Sequence, residues 1–393
     1  MDDDVKGFAT RAVHGATVPP VTQQSASPPL YQTSTWRFST SAHFAAVMAD
    51  REEGFVYSRG YGNPTVEAFE VLMADLEGTE SAFAFASGMA AIHAVVTDLA
   101  RSGERIVASR ELYGGTYSLF ATVVPRYGIE VVWVDPHDEA AVAEALPGAQ
   151  LFYCETISNP VLRVADLSRL ARLCEAAGVV SVIDNTFATP YLCNPARLGF
   201  DYVIHSATKY IGGHSDLIGG VVCTSGERWR SLRHTAIDTG GTMAPLEAWL
   251  CARGLATLAL RMDQHCRSAL RLAEFLAACH NVEHVHYPGL LTHPSHHIAR
   301  RELAGFGGML AFEVAGGSEG GAAFCDGLRT AWIGGSLGGA HPLVAHPAST
   351  THRQLPPEAR QAAGIGEGLV RVSVGLEDVD DLMTDFEHAL ARA

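Results

Sequence analysis

From Pro64 onward the chain alternates short apolar runs with longer amphipathic stretches. Apolar positions recurring every three to four residues predict helices at Thr65–Leu76, Met89–Ala100, Thr116–Arg126, Glu139–Ala145 and Leu167–Ala177. Between them, short runs rich in Val and Ile predict strands Ala82–Ala86, Arg105–Ser109, Val131–Val134, Leu151–Cys154, Val179–Ile183, Tyr202–His205 and Gly220–Cys223. These runs are apolar on both faces, which suits a parallel sheet buried between helices. After a helical stretch at Pro245–Leu260 the pattern changes. It then predicts helix Met262–Ala278, strands Val282–His286 and Met309–Val314, helix Ala322–Leu328, strand Leu369–Val374 and helix Val379–Ala391. That second set predicts a smaller α+β unit. Residues 1–63 have little periodicity and many Pro, Ser and Thr, predicting an extended arm with one short helix near Ala42–Asp50. The expected division is an arm over 1–63, a large domain over 64–255 and a C-terminal domain over 256–393. A chain of 393 residues is too long for one small core.

Composition narrows the function. Apolar residues make up 47% of the chain, which argues for a folded globular protein. The formal net charge of −15 disfavours nucleic acid and anionic membrane surfaces as partners. No apolar run is long enough to span a bilayer, and the acidic start Met1-Asp2-Asp3-Asp4 lacks the basic and apolar parts of a signal peptide. The 8 cysteines are scattered without a CxxC pair, so neither a zinc site nor a disulfide framework is expected. A reducing cytoplasm fits best. One oddity outweighs these averages: the only lysines are Lys6 and Lys209. Arg is the default cation here, yet guanidinium cannot deprotonate and attack a carbonyl, whereas an amine can.

Ligands of open α/β sheets bind beyond the carboxyl ends of the strands. Three such ends carry candidate chemistry. Ala86-Ser87-Gly88-Met89-Ala90 turns from strand into helix, and its free N–H groups with the helix dipole suit a phosphate, although many such turns serve packing alone. Asp184 follows a buried strand and needs a partner: a cap, a structural ion pair or the protonated ring nitrogen of a cofactor. His205-Ser206-Ala207-Thr208-Lys209 places two hydroxyls beside the interior lysine, whose apolar setting favours the neutral amine. Together they are the parts pyridoxal phosphate requires. The cluster His293, His296 and His297 suggests a metal, but no carboxylate or Cys partners follow in order, so packing is expected and no metal.

These residues resemble a known family, the pyridoxal-phosphate enzymes of cysteine and methionine metabolism. The likeness runs from Thr10 to Asp378, and its most specific motif is DYVIHSATKYIGGHSD at 201–216. Further blocks are YSRGYGNPT (57–65), FASGMAAI (85–92), YGGT (113–116), DNTFATP (184–190), SLGG (336–339) and HPASTTH (346–352). The resemblance implies the fold of type I pyridoxal-phosphate-dependent transferases, with a mostly parallel large-domain sheet and a smaller α+β C-terminal domain. It implies that Lys209 binds the cofactor as a Schiff base and shuttles protons, and that Asp184 pairs with the ring nitrogen. Tyr113 resembles the tyrosine stacked on the ring, a candidate acid for the departing γ-group. Gly88, Met89, Ser206 and Thr208 resemble phosphate ligands, and Asn159 a contact to the ring hydroxyl. Tyr57 and Arg59 resemble residues that reach the phosphate of a neighbouring subunit, and the family usually pairs dimers into tetramers. Ser336 and Arg371 resemble binders of the substrate α-carboxylate.

The implied substrate is a small sulfur amino acid. Gly364–Arg371, HPASTTH and Arg261–Cys266 look most like methionine γ-lyase, predicting γ-elimination from L-methionine to 2-oxobutanoate, ammonia and methanethiol. Gly115 and Ile237 depart from that pattern, where those lyases typically carry Cys and Lys. Tyr113–Phe120 is similar to O-acetylhomoserine sulfhydrylase, which places replacement second. Cystathionine γ-lyase and γ-synthase follow, because Val56 and His341 stand where those enzymes carry acids. A non-catalytic scaffold relative is disfavoured because Lys209, Asp184, Tyr113 and Arg371 are all present. A nicotinamide dehydrogenase is disfavoured because Gly305–Gly308 does not form a dinucleotide fingerprint.

Overall fold

The computed structural model describes residues 7–16, 25–350, 360 and 364–393. Lys6, the acidic start and the end of the HPASTTH block, Thr351 and His352, lie outside them. Seven strands form the larger sheet: β1 Ser81–Phe85, β2 Arg105–Ser109, β3 Glu130–Val134, β4 Leu151–Glu155, β5 Val180–Asp184, β6 Tyr202–His205 and β7 Gly220–Thr224. Their order is β1-β7-β6-β5-β4-β2-β3. All run parallel except β7, which lies antiparallel between β1 and β6. The sheet is thus mostly parallel, as expected, with β7 its one antiparallel strand. The β6–β7 connection, residues 206–219, is made of turns without a helix, so it lacks the crossover helix on which a parallel return usually relies.

Strands apolar at every position feed two cores. Leu151 and Tyr153 of β4 pack on one face of the sheet, Phe152 and Cys154 on the other. Val182 and Ile183 of β5 divide the same way, as do Ile204 and Val203 of β6. Side-chain alternation along a strand requires this split.

The helices carry their own start and stop signals. Pro64–Glu77 begins behind Asn63, whose side chain accepts from Thr65 N–H, and ends at Gly78 with φ of 77°. Leu167–Ala177 is capped by Asp166 and ends at Gly178 with φ of 66°. The predicted helix Thr116–Arg126 is less regular: an α-helical turn at Gly114–Ser118 passes through a π turn at Leu119–Val123 into a 3-10 turn at Val124–Tyr127. Helices at Phe8–His14, Gly226–Thr239 and His296–Glu302 were not anticipated. Gly226–Thr239 is rich in Arg, His and Thr and shows only a weak apolar stripe, so little periodicity marks it. The one short helix expected in the arm lies at Ser41–Met48.

The smaller sheet holds β8 Val282–His286, β9 Met309–Val314, β10 Trp332–Ile333, β11 Leu343–Ala345 and β12 Leu369–Ser373 in the order β10-β11-β12-β9-β8. Helix Leu258–Ala277 leads from one sheet to the other, and one apolar cluster runs continuously from Phe152 and Val203 to Phe312 and Phe386.

Candidate active site

Parallel pairing brings the carboxyl ends of β2, β4, β5 and β6 to one edge of the larger sheet. There they face a cavity of about 540 Å³. Every anticipated site residue except Tyr57 and Arg59 lines it: Gly88, Met89, Tyr113, Asn159, Asp184, Ser206, Thr208, Lys209, Ser336 and Arg371. Ser87 and Thr186, from the turn 86–90 and the block 184–190, line it as well, and so does Glu155, which the sequence did not single out. A larger hollow of about 780 Å³ lies between the arm and helix Pro64–Glu77. Its lining holds Glu67, Glu70 and Arg233 but none of the strand-end residues.

Lys209 Nζ donates to Ser336 Oγ at 2.6 Å. Burial, seconded by the Arg371 charge, lowers the lysine to about 8. A substantial fraction of the amine is therefore neutral near physiological pH. Ser336 has φ of 74°, an uncommon conformation for a side-chain-bearing residue. Its carbonyl accepts from Arg371 Nη2 at 3.2 Å, while Arg371 Nη1 donates to Asn159 Oδ1 at 3.2 Å. Arg371 is 4% exposed, and among the described residues no carboxylate lies within ion-pair distance of it. Burial lowers it to about 10, so it stays charged at neutral pH. A buried guanidinium held only by neutral acceptors is a ready partner for an incoming carboxylate.

Asp184 accepts from Thr186 N–H at 2.9 Å, and burial pushes its carboxyl up. Tyr113 is 49% exposed and folds back over its own loop. A Cβ on Gly115 would lie 2.5 Å from the Tyr113 ring, so the ring occupies the space a side chain at 115 would need.

The family model for Cys/Met metabolism PLP-dependent enzymes matches residues 9–391. The chain belongs to this family. It is 44% identical over 395 residues to O-succinylhomoserine sulfhydrylase of Pseudomonas aeruginosa, covering 100% of this chain and 97% of the relative. It is 42% identical over 387 residues to L-methionine gamma-lyase of Pseudomonas putida, covering 98% and 97%. Its fold matches cystathionine gamma synthase of Xanthomonas oryzae pv. oryzae in complex with aminoacrylate and cysteine, with a TM-score of 0.93, 37% identity and 98% of each chain covered. As in the rest of the family, pyridoxal phosphate is the cofactor and the fold is that of type I pyridoxal-phosphate enzymes.

The cavity fits that group. Ser87 Oγ takes the N–H of Ala90 and Ser87 O that of Ala91, leaving the N–H groups of Gly88 and Met89 at the helix start free for an anion. Two missing side chains make the cradle possible. A Cβ on Gly88 would lie 2.9 Å from Ser206 Cβ, and one on Gly220 would lie 2.3 Å from Ser87 O. Thr208 Oγ1 is engaged with Gly219, accepting from its N–H at 3.0 Å. Tyr57 and Arg59 stand apart from the cavity: Tyr57 is 40% exposed, and the Arg59 guanidinium donates to the Ile237 carbonyl.

Two other clusters of titratable groups lie outside this cavity. Glu111, Asp135 and His137 come together, but Glu111 is already held by Arg163 and His137, whose charges outweigh its burial and lower it. His293 and His296 are buried, and His296 Nδ1 meets the Pro288 carbonyl at 2.9 Å. The 8 cysteines are all free. Among the described residues, no helix is long and apolar enough to cross a membrane.

Proposed function

We propose that this enzyme performs γ-elimination on a sulfur amino acid, in the manner of a methionine γ-lyase, releasing 2-oxobutanoate, ammonia and methanethiol from L-methionine. The observation that carries this reading is the shared footing of Lys209 and Arg371 on Ser336, through its hydroxyl and its carbonyl respectively. An α-carboxylate clamped by Arg371 sets the substrate Cα and its amine beside Lys209 Nζ. When bound, pyridoxal phosphate supplies the aldehyde that captures that amine and the electron-accepting ring that makes the Cα proton acidic.

This chain's own groups do the rest. The N–H groups of Gly88 and Met89, with Ser206 and Thr208, would hold the phosphate, and Asp184 would hold the protonated ring nitrogen. That charge offsets what burial costs the carboxylate. Asn159, tied to Arg371, would contact the ring hydroxyl. Lys209 Nζ takes the Cα proton and returns protons later. Tyr113, over the same cavity, would stack on the ring and give a proton to the departing sulfur. Tyr57 and Arg59, outside their own subunit's cavity, would reach the phosphate of a neighbour in a homodimer, two of which would pair into a tetramer. The free cysteines support placing the enzyme in the cytoplasm.

The second reading is replacement, in which a thiol or sulfide takes the place of the leaving group on an activated homoserine. The 44% identity to a sulfhydrylase and the bare Gly115 beneath Tyr113 favour it over the cystathionine activities. A substrate panel separates the two. The enzyme is incubated with L-methionine, L-cystathionine, and O-acetyl- and O-succinyl-L-homoserine with and without sulfide, and 2-oxobutanoate and thiol products are measured. Release of 2-oxobutanoate and methanethiol from L-methionine is expected. Turnover confined to an acylated homoserine plus sulfide would transfer the assignment to replacement.

A further inference from the structure

Glu155 is the acidic residue of the cavity that the chemistry above leaves without a task. It ends β4, paired in register with Asp184 at the end of β5, so both carboxylates leave the sheet on the same side. Among the described residues no cation lies within ion-pair distance of Glu155. Burial, and after it the Asp184 charge, pushes its carboxyl well above the usual range. An acid held at such cost in a ligand cavity needs a compensating contact. The structure contains one: Glu155 Oε1 accepts the backbone N–H of Tyr113 at 2.6 Å.

The contact spans two elements. Tyr113 sits between the end of β2 and the turn Gly114–Ser118, and the side-chain ties of Glu111 to Arg163 and His137 in the same loop come before it. Arg110 N–H reaches Val134 O at 2.9 Å and Glu111 N–H reaches Ser109 Oγ at 3.1 Å, but both lie before Tyr113. Tyr113 O accepts from Tyr117 N–H within its own turn. Glu155 alone links the Tyr113 N–H to the floor of the cavity.

We propose that Glu155 is the positioning residue for Tyr113: its carboxyl oxygen, fixed at the end of β4, ties the Tyr113 main chain to the sheet and so sets the ring over the cofactor. This inference rests on the reading of Tyr113 as the stacked tyrosine and proton donor. Glu155 is not itself a proton carrier in it. What matters is an acceptor at that point, and a neutral amide oxygen serves equally.

Two variants test it in the holoenzyme. Glu155→Gln keeps the acceptor, whereas Glu155→Met keeps the volume and removes it. The first measurement is hydrogen exchange of the peptide containing Tyr113. Faster exchange by about tenfold or more is expected in Glu155→Met and near wild-type exchange in Glu155→Gln, from the strength of hydrogen bonds to charged or buried acceptors. The second is the visible circular dichroism of the bound cofactor, which reports the ring stacked on it. It should change in Glu155→Met and persist in Glu155→Gln. The third is steady-state kinetics, where Glu155→Met lowers kcat by about tenfold with KM little changed, and Glu155→Gln restores kcat. Unchanged exchange in Glu155→Met would overturn the tie. Faster exchange with unaltered dichroism and kcat would overturn its positioning role, and so would a Glu155→Gln variant as impaired as Glu155→Met. Tyr113→Phe separates this inference from its basis. Full elimination activity in that variant would remove Tyr113 as proton donor, while exchange and dichroism would still judge the Glu155 tie.

Discussion

At Lys209 burial and the Arg371 charge favour the neutral amine, and Asp184 opposes them, leaving the group at about 8. The neutral form attacks an aldehyde and the ammonium does not. Uptake of pyridoxal phosphate by the apoprotein should therefore slow by about tenfold per pH unit below that value and level off above it. Stopped-flow absorbance of cofactor binding from pH 6 to 10 measures this. A rate that keeps rising to pH 10 would mean the amine is not perturbed. The same paired logic holds for Arg371, which stays charged and awaits an anion because neutral oxygens alone hold it.

Among the elements, helix Pro64–Glu77 carries a cost that the strand beside it explains. Glu70 accepts the Ala84 N–H of β1 at 2.7 Å, yet burial raises its carboxyl to about 8. The unfolded chain releases that proton near the ordinary carboxylate value and the folded chain only near 8. Between those values the unfolded state binds fewer protons, so stability falls as pH rises. Glu70→Gln keeps the acceptor and removes the ionisation. It should raise Tm at pH 8 and leave it unchanged near pH 5, in scans at both pH values. At the other end of this helix, Glu77 meets His205 at 2.6 Å with both side chains wholly buried, and Asn185 donates to the same carboxylate at 3.0 Å. That network braces the ends of β5 and β6, which present Asp184 and Lys209.

For the whole molecule, Tyr57 and Arg59 lie outside the cavity of their own chain, as a site completed by a second subunit requires. Arg59→Ala and Lys209→Ala should each impair the enzyme. Mixed and reassociated, the two should regain activity that neither has alone, because some pairs combine an intact arm with an intact lysine. A mixture no more active than its parts would confine each site to one subunit. Two sheets joined by Leu258–Ala277 share one apolar cluster, so Ser336 and Arg371 on the small-sheet side are held firmly against Lys209.

The pattern of apolar runs marked most of both sheets, because buried strands must be apolar on both faces and helices must repeat every three to four residues. It marked Lys209 through the near-absence of other lysines, and Asp184 as a charge at the end of an apolar run. Glu155 carries the same sign at the end of Leu151–Glu155, but nothing local distinguishes a strand-end acid that faces a cavity from one that faces solvent. The helix Gly226–Thr239 and the reversed direction of β7 were not legible, since tertiary packing decides both. The chemistry available to this protein was written in its sequence, because only certain side chains can attack a carbonyl or clamp a carboxylate. Tertiary structure alone decided which of them meet: Ser336 comes to lie between Lys209 and Arg371, and Glu155 beneath Tyr113, through contacts among residues distant along the chain.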